Sequence, residues 1–240
     1  MNRQTYKKLE QYMQSCMDDS AHDREHVYRV LYAALDIAGK EEGVDMDVLI
    51  TACLLHDIGR REQSANPKAC HAKVGAKKAY EYLTANGYSE PFASHVRACI
   101  RSHRFRNSNP PETIEAKILF DADKVDVTGT IGIARTLMYQ GQMDEPLYSL
   151  TADGQVSDGS ADEQESFFQE YKFKLEGIYE KFYTRRGMEL AAGRRAAAAA
   201  FYQALLGEAR DMVENGTELL RQCIDEDKPT IGMDYLEIQE

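Results

Sequence analysis

The stretch HDREHVYRVLYAALDIAGKEEGVDMDVLITACLLHDIG, residues 22–59, decides how this chain reads. Its apolar residues recur at helical intervals. Val27, Val30, Leu31, Ala34 and Ile37 draw one stripe, and Val48, Leu49, Ala52, Leu55 and Ile58 draw a second. Gly43 stands between the two, where a helix should stop. The same stretch places polar groups in surroundings that want burial: His22 and His26 four apart on one helix face, then His56 and Asp57 at the end of the next helix.

Outward from this stretch the helical spacing continues, and alternating segments are hard to find. Phe168, Tyr171, Leu175, Ile178 and Phe182 form one further stripe, and Ala198, Phe201, Leu205, Ala209 and Met212 another. The pattern predicts helices at about 3–18, 23–42, 45–58, 70–86, 89–103, 111–126, 129–140, 162–186 and 188–214. The expected class is all-α, with residues 1–214 as one helical domain. Two segments break the periodicity. Residues 141–162 are rich in Gly, Ser and Asp and read as a long loop, expected to act as a lid. Residues 215–240 read as an acidic tail, either mobile or docked through Ile231, Met233, Tyr235 and Leu236.

Composition narrows the function. Of 240 residues 43% are hydrophobic, enough for a real core. The balance of 29 basic and 40 acidic residues, net −11, argues against nucleic acid or an anionic membrane as partner. A small anionic substrate answers to a local field instead and is not excluded. Five scattered cysteines without a CxxC read as free thiols of a reducing compartment. Neither a secretory h-region nor an apolar run long enough to span a membrane is present, so the cytoplasm is the expected location.

A third polar group, Asp121-Ala-Asp123-Lys124-Val-Asp126, follows the apolar Ile118 and Leu119. Unpaired ionised carboxylates in a core cost several kcal/mol, so such groups are normally paired or bound to metal. One divalent ion would satisfy all three groups. Imidazoles and carboxylates together suit Mn²⁺, Fe²⁺, Co²⁺, Ni²⁺ or Zn²⁺ better than Ca²⁺. Taken singly, a His-Asp dipeptide is common by chance, and a lone histidine on an apolar face usually donates to a carbonyl. The ordered set on three separate helices is what raises the signal.

That set resembles the HD-domain superfamily of metal-dependent phosphohydrolases, whose signature is H…HD…D. HDREHVYRV (22–30), ACLLHDIG (52–59), SHRF (102–105), TIEAKILFDADKVDVTGTIGIAR (113–135) and FKLEGIYEKFYTRRGMELAAGRR (173–195) are similar to its small bacterial YedJ-like branch. The resemblance implies an HD-type helical bundle with the metal site in its core. It implies His26, His56, Asp57 and Asp123 as metal ligands, with Asp121 and Asp126 flanking the last one; Asp121 and Asp123 could exchange roles. His22 would orient the site through a hydrogen bond or cap its helix. His103 would lie near the scissile phosphate or a second ion. His71 departs from the branch's pattern and is not expected to bind metal, and His95 reads as an ordinary helix residue.

A phosphate substrate needs cations. Arg60 and Lys124 adjoin the implied ligands, and Lys174 follows from the matching segment. Arg60 and Arg61 stand where some nucleotide-hydrolysing relatives carry acids, which puts any function of those acids in doubt. The resulting expectation is hydrolysis of a phosphomonoester or phosphoanhydride, with a nucleotide as substrate and Mn²⁺ as the first choice of metal ahead of Mg²⁺, Co²⁺, Ni²⁺, Zn²⁺ or Fe²⁺. Asp57 or a neighbouring carboxylate would take the proton, and His103 would assist. The rivals are a non-catalytic metal- or nucleotide-binding regulator, a two-iron redox enzyme using His71 and His103 as ligands, and a purely structural helical protein. The oligomeric state is left open by the sequence.

Overall fold

A computed structural model describes residues 1–17, 21–66, 68–104 and 109–224, with 21–23 described for backbone only. Ten α-helices follow one another: α1 (Arg3–Cys16), α2 (Ala21–Ala38), α3 (Met46–Leu55), α4 (Arg60–Ala65), α5 (His71–Ala85), α6 (Glu90–Ser102), α7 (Ile114–Val125), α8 (Gly129–Gln142), α9 (Phe167–Glu170) and α10 (Arg185–Cys223). Among the described residues there is no strand, only an isolated bridge between Leu150 and Val156. Among the described residues no helix is long and apolar enough to cross a membrane.

The two stripes of residues 22–59 form the heart of the main core. Every residue of both is at most 3% exposed. They pack α2 against α3 and α7, while α6 covers α3 and pairs with α5. Burying a Val, Leu or Ile side chain contributes roughly 1.5–3 kcal/mol, so these two stripes dominate the stability of this half. Short polar caps set the helix starts. Asp45 accepts from the backbone N–H of Asp47 and Val48 at α3, and Thr113 accepts from Ala116 at α7.

A second core joins α8, α9 and the middle of α10 through Ile133, Phe167, Phe168, Tyr171, Tyr202 and Leu206. The segment between α8 and α9 packs here. Tyr202 donates its hydroxyl to Asp158 O at 2.5 Å, Arg210 donates to Val156 O, and Ser149 and Ser157 both donate to Asp162.

Three helix assignments need correction. The helix expected at 162–186 is broken into α9, a π-turn at Tyr171–Leu175 and a 3₁₀ turn at Ile178–Glu180. Helix α10 continues through 215–223, assigned to the tail from sequence; single glycines such as Gly216 cost about 1 kcal/mol in a helix without ending it. Its buried face includes Ala198 of the expected stripe, with Leu205 and Ala209 partly buried beside it, but Tyr202 and Leu206 take the innermost places while Phe201 is 39% and Met212 74% exposed. The positions proposed to dock the tail lie outside the described residues.

Candidate metal centre

The centre gathers the end of α3, the start of α5 and the end of α6 around residues within α2 and α7. Helix α3 ends at Leu55, His56 and Asp57 lie in the turn that follows, and α4 restarts at Arg60. That turn presses directly on the start of α5. A Cβ on Gly59 would fall 2.3 Å from His71 O and 2.6 Å from Gly75 N, and a Cβ on Gly75 would meet His56 O at 3.2 Å. Glycine at both positions lets the two backbones touch, which carries His71 to the side of Asp57. His103 follows the last turn of α6, and His26 sits on the buried face of α2.

Four imidazoles share one orientation. His26 Nδ1 donates to Asp126 Oδ2 at 2.7 Å, and His56 Nδ1 donates to Cys53 O at 2.7 Å. His71 Nδ1 donates to Gln63 Oε1 at 2.6 Å, and His103 Nδ1 donates to Ile100 O at 2.6 Å. A proton fixed on Nδ1 leaves the Nε2 lone pair bare, and these are the nitrogens that turn inward. His26 Nε2 lies 3.3 Å from His56 Nε2, 3.4 Å from Asp57 Oδ2 and 3.2 Å from Asp123 Oδ1. On the other side of Asp57, Oδ1 lies 3.5 Å from His71 Nε2 and 3.7 Å from His103 Nε2. Two groups that could hold a cation therefore meet at one carboxylate: His26, His56 and Asp123 with Asp57 Oδ2, and His71 and His103 with Asp57 Oδ1.

The electrostatics call for positive charge. Asp57 is 1% exposed, yet its Oδ1 has no hydrogen-bond donor. Burial pushes its carboxyl up, but Arg60, His56 and His26 outweigh this and hold it well below the usual carboxylate range. Burial pulls His26 down, but hydrogen bonds to Asp123, Asp126 and Asp57 raise it to about 10. One imidazole thus faces three carboxylates. Burial, helped by the neighbouring imidazoles and, for His71, by Arg60 and Arg104, outweighs the pull of Asp57 and drives His56 down to about 4 and His71 to about 3, so both are neutral donors. Neutral nitrogens on His56 and His71, ionised oxygens, an orphaned buried carboxylate atom and a His26 proton that a cation would displace are the donor set that a divalent cation requires, and the residues present fit one.

The remaining expected residues fall into place around this cluster. Asp126 is a hub, accepting from Arg29 Nε at 2.6 Å and Arg135 Nη1 at 2.7 Å as well as from His26. Asp121 turns away from the cluster. It accepts from the backbone N–H groups of Tyr183 and Thr184 and from the Thr184 hydroxyl, fixing the start of α10. Arg60 Nε is bonded to Asp57 Oδ2 at 2.6 Å. Lys124 donates to Lys181 O and lies 4.3 Å from the Phe120 ring centroid. Lys174 pairs with Glu170 one turn back, and among the described residues no contact joins it to the cluster. His95 pairs with Glu115, away from the centre. His22 is in the first turn of α2, with its side chain outside the described residues.

His71 is the main residue that sequence reasoning set aside and the fold brings in. Gln63, Arg29 and Arg135 were missed as well. Each acts through a partner distant in sequence, so no local pattern announces it. For His71 the available signal was its place at a helix start.

The chain matches the HD domain family over residues 24–128. It is 31% identical over 147 residues to the uncharacterized protein YpgQ of Bacillus subtilis (strain 168), covering 59% of this chain and 69% of that protein. The crystal structure of B. subtilis YpgQ in complex with ADP is similar with a TM-score of 0.65 at 26% identity, over 85% of this chain and 97% of that one. A predicted HD superfamily hydrolase from an uncultured Thermotogales bacterium is similar with a TM-score of 0.57 at 28% identity, over 84% and 91% of the two chains.

Proposed function

This chain belongs to the HD-domain superfamily, and from that premise we propose that it is a metal-dependent phosphohydrolase acting on a phosphomonoester or phosphoanhydride bond of a nucleotide. The observation that carries the reading is the common orientation of four imidazoles, each held through Nδ1 and turned inward around the Asp57 carboxylate. A bond from Nδ1 to a carbonyl is ordinary for one core histidine; the convergence of four Nε2 atoms on one buried carboxylate is what supports a metal site. His26, His56, Asp57 and Asp123 would hold one divalent ion, Mn²⁺ being the first choice. Asp57 Oδ1, His71 and His103 offer the same donor chemistry for a second. Bound there, a divalent ion acidifies water and polarises a phosphoryl oxygen.

The protein's own residues do the rest. Asp126 and the carbonyls of Cys53 and Ile100 keep the rings from rotating, so the donor geometry is set before any substrate arrives. Asp57, ionised and short of donors at Oδ1, is placed to accept a proton from an attacking water, with His103 beside it. Arg60, 39% exposed in its side chain, can exchange its bond to Asp57 for a substrate phosphate and neutralise charge there. The nucleotide class draws support from the ADP complex of YpgQ.

A regulator that binds metal or nucleotide without turnover is the second reading, favoured by the Arg60–Asp57 bond, which occupies the carboxylate that the hydrolase reading needs for proton transfer. Metal analysis combined with a panel of nucleotides and Mn²⁺, run on wild type and on Asp57→Ala, separates the two. Turnover abolished by Asp57→Ala supports the hydrolase. Tight nucleotide binding with no turnover in wild type favours the regulator.

A further inference from the structure

The solvent side of the α5–α6 pair carries charge that the metal centre does not use. Lys73 and Lys77 stand one turn apart on α5, and Arg97 and Arg101 one turn apart on α6, all four exposed. They line a cleft of about 640 Å³ with Ala76 at its floor. The short connection between the helices makes them antiparallel, so Lys73 is level with Arg101 and Lys77 with Arg97. The two levels are about 6 Å apart, four residues at 1.5 Å each.

Little in the chain neutralises this group. Glu81 is the one acid lining the cleft, and it lies 3.7 Å from Lys77. Among the described residues no acid pairs with Lys73, Arg97 or Arg101. The Arg97 guanidinium is stacked on Tyr80, 4.4 Å from the ring centroid, and its Nη2 donates to Ser94 Oγ at 3.3 Å, which together hold it in place at the cleft. Arg97 and Arg101 also border an adjoining hollow of about 250 Å³ where Ser94, Asn109 and Thr113 add neutral hydrogen-bonding groups and Glu112 adds one acid. Four like charges gathered at one cleft repel each other, and in a chain of net charge −11 they stand against the prevailing field.

We propose that this cleft binds an oligophosphate chain, inorganic or carried by a nucleotide, at a site separate from the histidine–aspartate cluster. Paired cations at two levels suit successive phosphate groups, with arginine gripping oxygens bidentately and lysine acting as a point charge. The site is distinct because His71 and His103 are buried, whereas Lys73 and Arg101, two residues along the same helices, face solvent. A long nucleic acid strand is disfavoured, because it would extend beyond the cleft over an acidic surface.

The test is calorimetric titration of the full chain with tripolyphosphate in EDTA, beside parallel titrations with ADP and with a single-stranded oligonucleotide. Wild type should bind tripolyphosphate, with affinity falling as salt is raised. Lys73→Gln with Arg101→Gln, both at exposed positions, should weaken binding at least tenfold and leave Mn²⁺ content and any nucleotide hydrolysis unchanged. Asp57→Asn should bind tripolyphosphate as wild type does, which keeps this result independent of the hydrolase reading. A parallel loss for ADP in the double variant identifies the nucleotide's phosphates as a source, and ADP binding unaffected by the substitutions identifies the inorganic chain. No binding by wild type, equal binding by the double variant, loss on Asp57→Asn, or binding of the oligonucleotide alone would overturn the proposal.

Discussion

Replacing Asp126 by asparagine tests how the chain prepares its centre. The carboxylate is 3% exposed and takes four contacts: His26 Nδ1 at 2.7 Å, Arg29 Nε at 2.6 Å, Arg29 Nη2 at 3.1 Å and Arg135 Nη1 at 2.7 Å. Asparagine keeps one oxygen, enough for Arg29 Nε, but sets an amide NH₂ against the other three donors. Hydrogen bonds to charged groups contribute about 1.5–3 kcal/mol each. Arg29 and Arg135 are about a third exposed and can turn to water, so the net destabilisation should be roughly 2–4 kcal/mol rather than the full sum. The larger effect falls on the metal. With a donor facing it, His26 Nδ1 becomes an acceptor, the proton moves to Nε2, and the nitrogen aimed at the cluster loses its lone pair. Substitutions of this kind cost about 10–100-fold in metal affinity. Mn²⁺ affinity by competition with a chelator, alongside urea unfolding in EDTA, measures both quantities. An Asp126→Asn protein that binds Mn²⁺ within twofold of wild type would refute the claim that Asp126 sets the His26 tautomer.

Other perturbations probe the neighbouring elements. Asp123→Asn should abolish tight metal binding, whereas Asp121→Asn should leave metal content intact and cost about 2–3 kcal/mol in urea unfolding, because the backbone donors at Tyr183 and Thr184 lose an acceptor. Gly59→Ala should destabilise by about 3 kcal/mol or more and lower metal occupancy, since its methyl would overlap the α5 backbone that carries His71; native-like melting would count against the contact. Glu115 is buried, and although burial raises its pKa, the Asp45 N–H and the nearby His95 outweigh this and depress it. A depressed folded-state pKa gives stability that is present above the ordinary value near 4.5 and lost as pH falls through the folded value. Glu115→Gln should therefore flatten the acid limb of the stability–pH curve below about pH 4.5, and an unchanged limb would contradict the assignment.

The local level of this protein was legible in its residues. Helical periodicity fixed the all-α class, and both stripes of 22–59 are buried as their spacing implied. Periodicity gives the existence of a helix better than its ends or its inward face. In α10 a mixed run of alanines and long apolar residues offers two neighbouring faces, and tertiary packing chose the one with Tyr202. The broken helix after residue 166 follows from a π-turn that no spacing reveals.

The sequence by itself determined that imidazoles and carboxylates would be embedded in apolar helices, because His26, His56-Asp57 and Asp123 sit within patterns that must be buried. Only the tertiary structure decided which acid faces the cluster and which caps a helix, since Asp121 and Asp123 are chemically identical and differ by the 200° turn between alternate residues of α7. It also decided that His71 belongs beside Asp57. That placement depends on backbone contact at Gly59 and Gly75, a through-space event between α3's end and α5's beginning that the order of residues along a chain does not encode.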